Sequence, residues 1–209
     1  MKFARRRPFV FGVGLAGTKN AMCDAGVQSF IEGRRMPGAW GSDGKTSGGK
    51  GDGARREIDW RRTAVFGAFG LLFNGAWQYC LFVRIMPRWF PNAAEFAAKP
   101  LRQKVIDKVG MRNLFLQLGI ENGINNPLIY FPLFYNVKEY IEGGTPKDAW
   151  EKLRRNYAED VIAVWKLWIP AQLINFAFSP LWLRVPFVAG VSALWTSYIS
   201  FVRGDPEEI

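Results

Sequence analysis

The sequence predicts an all-α fold, a polytopic membrane helix bundle with about four transmembrane spans plus amphipathic or re-entrant helices, in one membrane domain covering residues 1–209. Apolar segments long enough to cross a hydrocarbon core of about 30 Å alternate with charged connections. Each apolar segment also carries polar residues three or four positions apart, which places them on one helical face. Lipid cannot satisfy such side chains, so the polar faces must meet one another or a water-filled cavity.

The polar rows follow the apolar segments in chain order, with one row to a segment. They consist of Asn20, Asp24 and Gln28; Asn74 and Gln78; Gln117, Glu121 and Asn125; Gln172, Asn175 and Ser179; and Ser192, Thr196 and Ser200. A helix with this pattern is apolar on most of its circumference and polar along one stripe. We therefore expect the stripes to form the interior of the bundle.

Composition argues against an enzyme and against a metal centre. The chain has 28 Lys and Arg against 18 Asp and Glu, and it has no His, which removes the commonest general base and metal ligand. The sequence contains no nucleophile-elbow, zinc-protease or dinucleotide-binding motif. We expect no catalytic or metal-binding residues and no cofactor, apart from a bound phospholipid such as cardiolipin.

The net charge of +10 arises from Lys and Arg in the connections between apolar segments, which favours lipid phosphates and acidic partners. The aromatic residues lie in the spans and do not form a stacking platform among the loop charges, so no nucleic acid is expected. The two cysteines, Cys23 and Cys80, each lie within an apolar segment, which argues against a disulfide scaffold. We expect membrane lipids as partners.

Residues 8–31 are predicted to form the first span, although Lys19 and Asp24 interrupt it and exclude a simple cleavable signal sequence. A ladder of small residues at four-residue spacing runs beside its polar row and allows a neighbouring helix to approach closely. The ladder consists of Gly17, Ala21, Ala25 and Ser29. This pattern favours a buried, protein-facing span. The alternative is an amphipathic helix that lies on the membrane surface.

Residues 32–62 form a Gly-rich, basic connection that is predicted to be flexible. The run Gly44, Lys45 and Thr46 resembles part of a phosphate-binding loop, but Ala39 stands where that motif needs its first Gly. Ordering such a loop costs of order 1–2 kcal/mol per fixed residue, so it needs compensating contacts. Arginines and one Trp can supply them to acidic groups or lipid phosphates: Arg34, Arg35, Trp40, Arg55, Arg56, Arg61 and Arg62. We expect the loop 32–62 to dock other subunits of a membrane complex.

Residues 63–83 form an uncharged stretch of 21 residues, which predicts the second span. Arg84, Arg88 and Trp89 mark its exit into the membrane interface. Residues 91–112 are basic and only partly apolar, which predicts a loop and a surface helix.

Residues 113–137 are predicted to form the next span, with Glu121 near its middle and Pro127 and Pro132 in its second half. A carboxylate at this depth needs a cation or an amide donor as a partner. The charged residues 138–160 follow and are predicted to lie outside the hydrocarbon core.

Two glycines, Gly143 and Gly144, predict the end of one helix, and the pair Thr145-Pro146 predicts the start of the next. The apolar residues that follow at 161–183 are cut by two prolines, Pro170 and Pro180, so they predict either a kinked span or a bent re-entrant pair. The uncharged stretch 185–202 predicts a final span. Lys and Arg are almost equal in number on the two sides of this arrangement, so they predict no orientation.

The last third of the chain carries aromatic, amide and proline residues at a distinctive spacing. They are Tyr157, Trp165, Trp168, Gln172, Asn175, Phe176, Pro180, Arg184, Trp195, Tyr198 and Ser200. This pattern resembles the signature of the Mpv-seventeen/22-kDa peroxisomal membrane protein family. Asp24 and Gln28 resemble the Asp and Gln of that family's first span, and Glu121-Asn122 stands where the family commonly has Asp-Gln.

The resemblance implies an integral protein of the inner mitochondrial or the peroxisomal membrane, with about four spans and a suspected role in passing small solutes. The basic start of the chain favours the mitochondrial inner membrane. Its last residues, which are not a peroxisomal targeting tripeptide, favour the same location over the alternative, the peroxisomal membrane.

Two functions remain open at this point. The favoured one is a structural or accessory subunit of a larger membrane complex, docked through the loop 32–62. The alternative is a small-solute channel or carrier lined by the polar stripes. The candidate lining consists of Asn20, Asp24, Gln28, Glu121, Asn122, Asn125, Gln172, Asn175 and Arg184, with Lys19 and Lys166 adding positive charge. Interhelical polar contacts in membranes contribute roughly 0.6–2 kcal/mol each, so the same residues can instead tie the helices together.

Overall fold

The computed structural model describes residues 2–30 and 57–202. Within these ranges the chain is 91% helical and has no β-strand, which confirms the all-α prediction. In chain order the helices are α1 (Lys2–Arg6), α2 (Pro8–Phe30), α3 (Trp60–Trp89), α4 (Ala93–Ala98), α5 (Leu101–Ile106), α6 (108–142), α7 (Pro146–Phe178) and α8 (Arg184–Val202). A short 3₁₀ turn, Leu181–Leu183, leads from α7 into α8.

Two helices among the described residues are long and apolar enough to cross a membrane, judged by length and composition. They are α3, with 30 residues, and α7, with 33 residues. The apolar stretch Leu181–Leu194 is shorter. The predicted number of about four spans is therefore not confirmed. At 1.5 Å per residue α7 is roughly 50 Å long, so it extends well beyond a hydrocarbon core of about 30 Å.

The predicted boundary between α6 and α7 is confirmed. Gly143 ends α6 in the left-handed conformation, with φ of 82°, which Gly adopts without steric cost. At the start of α7 the Thr145 hydroxyl accepts from the backbone N–H of Asp148, and the Asp148 carboxylate accepts from the N–H of Thr145. This capping box, followed at once by Pro146, satisfies N–H groups that have no partner within the helix.

Parts of α3 and α6 are π-helical, with wider turns than an α-helix. These parts are Gly70–Trp77 and Cys80–Ile85 in α3, and Ile120–Tyr130 in α6. The π-helical part of α6 contains Pro127, which has no N–H to donate to the helix ladder. The helix nevertheless continues into its last part, Phe131–Glu142. Stretches of this kind are uncommon and concentrate at functional sites.

The first long helix, α2, packs along α3 and α8, while its Phe9, Val10 and Met22 side chains are exposed. Glycines permit the close approach. A Cβ added at Gly75 of α3 would lie 2.7 Å from the Cα of Val13, and one at Gly17 would lie 2.4 Å from the Leu71 side chain. Small residues thus bring the two backbones together, as membrane helix pairs require. Gly17 and Ala21, two members of the predicted ladder of small residues, thus face α3.

Pro170 lies inside α7, and the helix continues through it from Pro146 to Phe178. The bent re-entrant pair that the sequence left open is therefore not formed. The chain turns only after Ser179, which ends α7, and Pro180 then begins the short 3₁₀ turn. The main apolar core joins α3, α4, α6, α7 and α8, and a second core joins the end of α6 to the start of α7.

The basic segment between α3 and α6 contains two short helices, α4 and α5, where the sequence predicted a loop and a surface helix. Lys104 of α5 is buried, and its ammonium donates to the carbonyl oxygens of Ala97 and Lys99 at the end of α4. The same ammonium lies 4.7 Å from the ring centre of Phe178. Burial lowers the pKa of Lys104. This one side chain ties the connection to the last turn of α7.

Candidate functional site

A cavity of about 450 Å³ lies between α2, α3, α6, α7 and α8, and its wall is more apolar than polar. Its wall combines small, charged, amide and aromatic side chains. They are Ala16, Lys19, Asn20, Cys23, Asp24, Val27, Arg62, Phe66, Phe69, Asn74, Gln78, Glu121, Asn126, Tyr130, Phe134, Val164, Trp168, Gln172, Val188, Ala189 and Ser192. Each of the five helices contributes at least one residue of its polar row to this wall.

At one end of the cavity the Asp24 carboxylate holds α2 against the start of α3. Its Oδ1 accepts from Arg62 Nε at 2.9 Å, and its Oδ2 accepts from Thr63 Oγ1 and Gln28 Nε2, both at 2.7 Å. Gln28 in turn accepts from the backbone N–H of Asp59 at 2.7 Å. Asp59 is the N-cap of α3 and accepts from the N–H of Arg62. Asp24 is buried and meets both a cation and an amide donor, the kinds of partner expected for a carboxylate within an apolar helix.

Glu121 lies on the π-helical part of α6 and is 1% exposed. Its Oε2 accepts from Asn125 Nδ2 at 3.0 Å, and Asn125 Oδ1 accepts from the indole N–H of Trp77 at 2.7 Å. A chain of hydrogen bonds therefore joins α6 to α3. Glu121 faces the interior and meets an amide donor, as predicted, but no cation lies within ion-pair distance of it among the described residues.

Lys19 brings a positive charge to the cavity wall from α2. Within 2–30 and 57–202 no carboxylate lies within ion-pair distance of its ammonium. The neighbouring Asn20 donates to the carbonyl of Phe66 at 3.3 Å and accepts from Asn74 Nδ2 at 3.4 Å, so it fixes α2 to the middle of α3. Gln78 also lines the cavity, and its buried Oε1 has no hydrogen-bond partner in the part of the chain that the structure describes.

Aromatic rings form one side of the wall. Tyr130 and Phe134 of α6 are stacked with ring centres 5.7 Å apart, and Phe69 of α3 lies 6.0 Å from Tyr130. Phe73 extends this cluster behind the wall, with its ring 5.6 Å from that of Tyr130. The cavity therefore has a rigid apolar side that faces the polar side chains of α2 and α3.

A second buried polar cluster lies behind the cavity, around Arg184 at the start of α8. Arg184 Nη1 donates to Gln117 Oε1 at 3.2 Å and to the carbonyl of Phe82 at 3.4 Å. Asn175 Nδ2 donates to Gln172 Oε1 at 2.9 Å and to the carbonyl of Arg184 at 3.2 Å. The carbonyl that Asn175 reaches belongs to Arg184, so the amide closes the turn between α7 and α8.

The structure places the candidate lining residues in two groups. Four of them form the cavity wall: Asn20, Asp24, Glu121 and Gln172. Five lie behind the wall and hold helices together: Gln28, Asn122, Asn125, Asn175 and Arg184. The expectation that Lys166 adds charge to the lining is wrong, because Lys166 is exposed on the outer side of α7.

Several wall residues were not among the candidates, namely Cys23, Arg62, Asn126 and Tyr130. Cys23 lies on α2 between Asn20 and Asp24 in the sequence, but its position was considered only with regard to disulfide bonds. Asn126 follows directly after a candidate, and the wide turns of α6 bring it to the cavity as well.

The residues of the family signature have structural contacts where their side chains are described. Trp165 donates its indole N–H to the carbonyl of Asn122 at 2.8 Å, Trp168 lines the cavity, and Phe176 is 1% exposed in the main core. The ring of Tyr157 lies 6.5 Å from that of Phe131. The side chains of Trp195, Tyr198 and Ser200 lie outside the described part, as do residues 32–56 of the loop 32–62.

The fold is all-α, and two of its helices are long and apolar enough to cross a membrane, beside a cavity that has polar side chains in its wall. Residues 139–200 match the profile of the Mpv17 / PMP22 family. Protein SYM1 from Mycosarcoma maydis is 29% identical over 121 residues, which cover 58% of this chain and 56% of that protein. The mitochondrial inner membrane protein Mpv17 from Danio rerio is 29% identical over 145 residues, covering 68% of this chain and 70% of that protein. The human protein of the same name is 29% identical over 118 residues, covering 56% and 57%.

These matches confirm the resemblance to the Mpv17 / PMP22 family that was seen in the sequence. The chain spans a little over half the length of Protein SYM1 and of the human relative. The names of the Mpv17 relatives confirm the mitochondrial inner membrane as its location. No solved structure matches the chain.

Proposed function

We propose that this protein lets small polar solutes cross the mitochondrial inner membrane through its interior cavity. The observation that carries the proposal is the cavity itself, about 450 Å³ in volume and lined by polar residues of five helices. Its volume falls within the range of about 300–1,000 Å³ typical of pockets that hold small molecules. Polar side chains around an interior space are expensive in a membrane and usually mark a solute or ion pathway.

The difference between paired and unpaired residues in the cavity wall favours the same function. If the stripes served only to tie helices together, their polar groups would satisfy one another, as Asp24 does with Arg62 and Thr63. In the cavity wall, Lys19 and Glu121 instead carry opposite charges with no ion pair among the described residues. A solute in the cavity would lie beside both side chains.

The proposal includes an arrangement of about four spans. α3 and α7 have the length and the composition of membrane helices, and α2 and α6 pack against them while contributing polar residues to the same cavity. A pathway enclosed on all sides needs these additional helices to cross the membrane as well. Glycosylation-site or cysteine-accessibility mapping of both ends of α2 and α6 tests this count.

The role of accessory subunit is a second proposal, and it rests on the composition of the loop 32–62. Its arginines and Trp40 suit a docking element for acidic groups of a neighbouring protein. Deletion of residues 37–53 should release the protein from its native assembly without unfolding its helices. Co-purification of the deleted form at full stoichiometry would contradict the docking role.

The two cysteines provide a direct test of the cavity as a pathway. Cys23 lies in the cavity wall, whereas Cys80 is exposed on α3 and is not part of the wall. The purified protein is reconstituted into liposomes, and efflux of labelled erythritol is measured before and after treatment with a charged methanethiosulfonate reagent. The reagent adds a bulky group to a water-accessible thiol.

We expect efflux through the wild type and through Cys80→Ala to fall after treatment, because Cys23 remains in both. Cys23→Ala should keep its efflux unchanged by the reagent. Efflux from protein-containing liposomes no faster than from protein-free liposomes would overturn the proposed function. Equal inhibition of the Cys23→Ala variant would show that solute does not pass through this cavity.

A further inference from the structure

The cavity wall presents two opposite charges that no other described residue neutralises. Lys19 contributes an ammonium from α2, and Glu121 contributes a carboxylate from α6. The same wall holds the pair Arg62 and Asp24, whose charged atoms lie 2.9 Å apart. The bundle thus pairs two of its wall charges with each other and leaves the other two facing a space large enough for a solute.

The two unpaired charges lie at different depths. Lys19 precedes Asn20, which faces α3 at Gly70, since a Cβ on Gly70 would lie 2.7 Å from the Asn20 Cβ. Glu121 binds Asn125, which accepts from Trp77 of α3. Gly70 and Trp77 are about two helical turns apart, which separates the levels by on the order of 10 Å. The cavity therefore has a cationic end, formed by Lys19, and an acidic end, formed by Glu121.

Gln78 adds a second acceptor near the acidic end. It follows Trp77 in α3, lines the cavity and is 7% exposed, and its Oε1 has no hydrogen-bond partner in the described ranges. A buried carbonyl oxygen without a donor costs about 1–3 kcal/mol, so a ligand that supplies an N–H or a positive charge is favoured there. The acidic end thus offers Glu121 and Gln78 to a cation, and the other end offers Lys19 to an anion.

We propose that the cavity selects small zwitterions, which carry one ammonium group and one carboxylate group. The inference rests on the proposed passage of solutes and names their chemical class. The carboxylate of the solute binds Lys19, and its ammonium group binds Glu121 and Gln78. A simple anion would neutralise Lys19 and leave Glu121 unpaired, and a simple cation would do the reverse. Only a solute with both charges leaves no unpaired charge in the low-dielectric interior.

Four solutes of similar size test this inference in proteoliposomes. Glycine betaine is the zwitterion, choline the cation, isethionate the anion and erythritol the neutral solute. Efflux of each labelled solute is measured with the membrane potential clamped at zero, so that net charge does not drive the flux. We expect glycine betaine to leave wild-type liposomes about tenfold faster than the other three at low concentration. Its carboxylate accepts a charge-assisted hydrogen bond from Lys19, and its quaternary ammonium group is attracted to the Glu121 carboxylate.

Charge-removing variants test each end separately. Lys19→Gln should lose the preference for glycine betaine over choline, since the site for the carboxylate is gone. Glu121→Gln should lose the preference over isethionate. Lys19→Arg keeps the positive charge and should keep the preference. Lys166→Gln is the matched control, because Lys166 lies in the same bundle but is exposed on the outer side of α7.

The outcomes separate this inference from the function on which it rests. Equal efflux of all four solutes through the wild type overturns the selectivity and leaves the passage of solutes standing. Efflux of none above that of protein-free liposomes overturns both. The elution and melting temperature of Lys19→Gln and Glu121→Gln in detergent show whether these variants fold. If both fold and keep the selectivity of the wild type, the inference is also overturned. If either variant does not fold, the four-solute comparison on the wild type still decides.

Discussion

Arg184 of α8 donates a hydrogen bond from Nη1 to the side-chain oxygen of Gln117 in α6, at 3.2 Å. The same nitrogen reaches the carbonyl of Phe82 in α3, and the guanidinium lies 5.2 Å from the ring centre of Phe176 in α7. Arg184 is fully buried, and no carboxylate lies within ion-pair distance of it in the described residues. Neutral acceptors and one aromatic face therefore hold the guanidinium that joins four helices.

Replacing Gln117 by Leu should lower the stability of the bundle. The substitution removes an acceptor from a buried cation, and a loss of this kind typically costs about 1–3 kcal/mol. The melting temperature of the protein in detergent measures the effect. Gln103→Leu serves as the control, since Gln103 is exposed on α5 and its loss should leave the melting temperature nearly unchanged. Equal melting temperatures for the two variants would contradict a structural role for the Arg184 contact.

Asn175→Leu should open the turn between α7 and α8. Asn175 is fully buried, and its amide donates to the Gln172 side chain and to the carbonyl of Arg184. The bond to Arg184 joins two helices, and interhelical hydrogen bonds in membranes are worth roughly 0.6–2 kcal/mol. The substitution also removes the bond to Gln172 within α7. We expect a lower melting temperature and faster proteolysis near residue 180. Asn92→Leu is the comparison, because Asn92 is exposed. An unchanged or raised stability would contradict the role of the Asn175 hydrogen bonds in stabilising this turn.

Asp24→Asn should weaken the joint between α2 and α3. The Asp24 carboxylate accepts from Arg62, Thr63 and Gln28, and an amide in its place would offer a donor and remove the negative charge that faces Arg62. Breaking a largely buried pair by removing one partner is destabilising, here by about 2–3 kcal/mol. Glu95→Gln removes an exposed partner of Lys99 and should cost at most about 0.5 kcal/mol. Similar melting temperatures for the two variants would contradict the expectation that the buried ion pair contributes more stability than the exposed one.

Two glycine substitutions should change the stability of the protein in opposite directions. Gly75→Ala places a Cβ 2.7 Å from the backbone of Val13, so α2 and α3 must separate, at a cost of typically 1–3 kcal/mol for overpacking. Gly119→Ala meets no atom within 4 Å and should stabilise the helix by roughly 0.5–1 kcal/mol. Chemical denaturation in mixed detergent micelles compares the two. If both substitutions destabilised the protein equally, the close packing of α2 against Gly75 would not explain the effect of Gly75→Ala.

Acid should weaken the start of α6 through Asp107. The backbone N–H of Gly110 and the ammonium of Lys99 bind this carboxylate and hold the pKa of Asp107 below its ordinary value of 3.8. A depressed pKa in the folded state means that the contribution is complete above the ordinary pKa. It is lost as the pH falls through the lower pKa of the folded state.

The comparison of the wild type with Asp107→Asn isolates this contribution. The difference between their melting temperatures should be largest at about pH 6 and should shrink as the pH falls below about 4. Glu159→Gln, at an exposed position of α7, controls for the general effect of acid. A difference that stays constant over this pH range would exclude the Asp107 carboxylate as its origin.

The sequence predicted those features of the fold that depend on neighbouring residues. Gly143 and the Thr145-Pro146 pair mark a helix end and a helix start by local backbone chemistry, and both lie where they were expected. The burial of Asp24 and Glu121 was also predictable, because an ionised group within an apolar helix has to face the protein interior.

The division of the polar stripes between cavity wall and helix contacts was not predictable. It depends on the rotation of each helix about its axis, which the π-helical turns of α3 and α6 alter. The pairing of Arg184 with Gln117 joins residues far apart in the chain, and no local pattern specifies it. Lys166 was misplaced because α7 carries charge on its outer side as well as amides on its inner side.

The wide turns of α3 and α6 also restrict where the length of this chain can change. A π-helical turn holds one residue more than an α-helical turn, so the loss of one residue from Gly70–Trp77 or Ile120–Tyr130 can be absorbed by a return to α-helical geometry. The loss of one residue from the α-helical centre of α7 instead turns every later side chain by about 100°. Trp165 would then no longer meet the carbonyl of Asn122. Single-residue gaps among natural variants of this chain should accordingly fall in the two wide stretches and avoid the first half of α7.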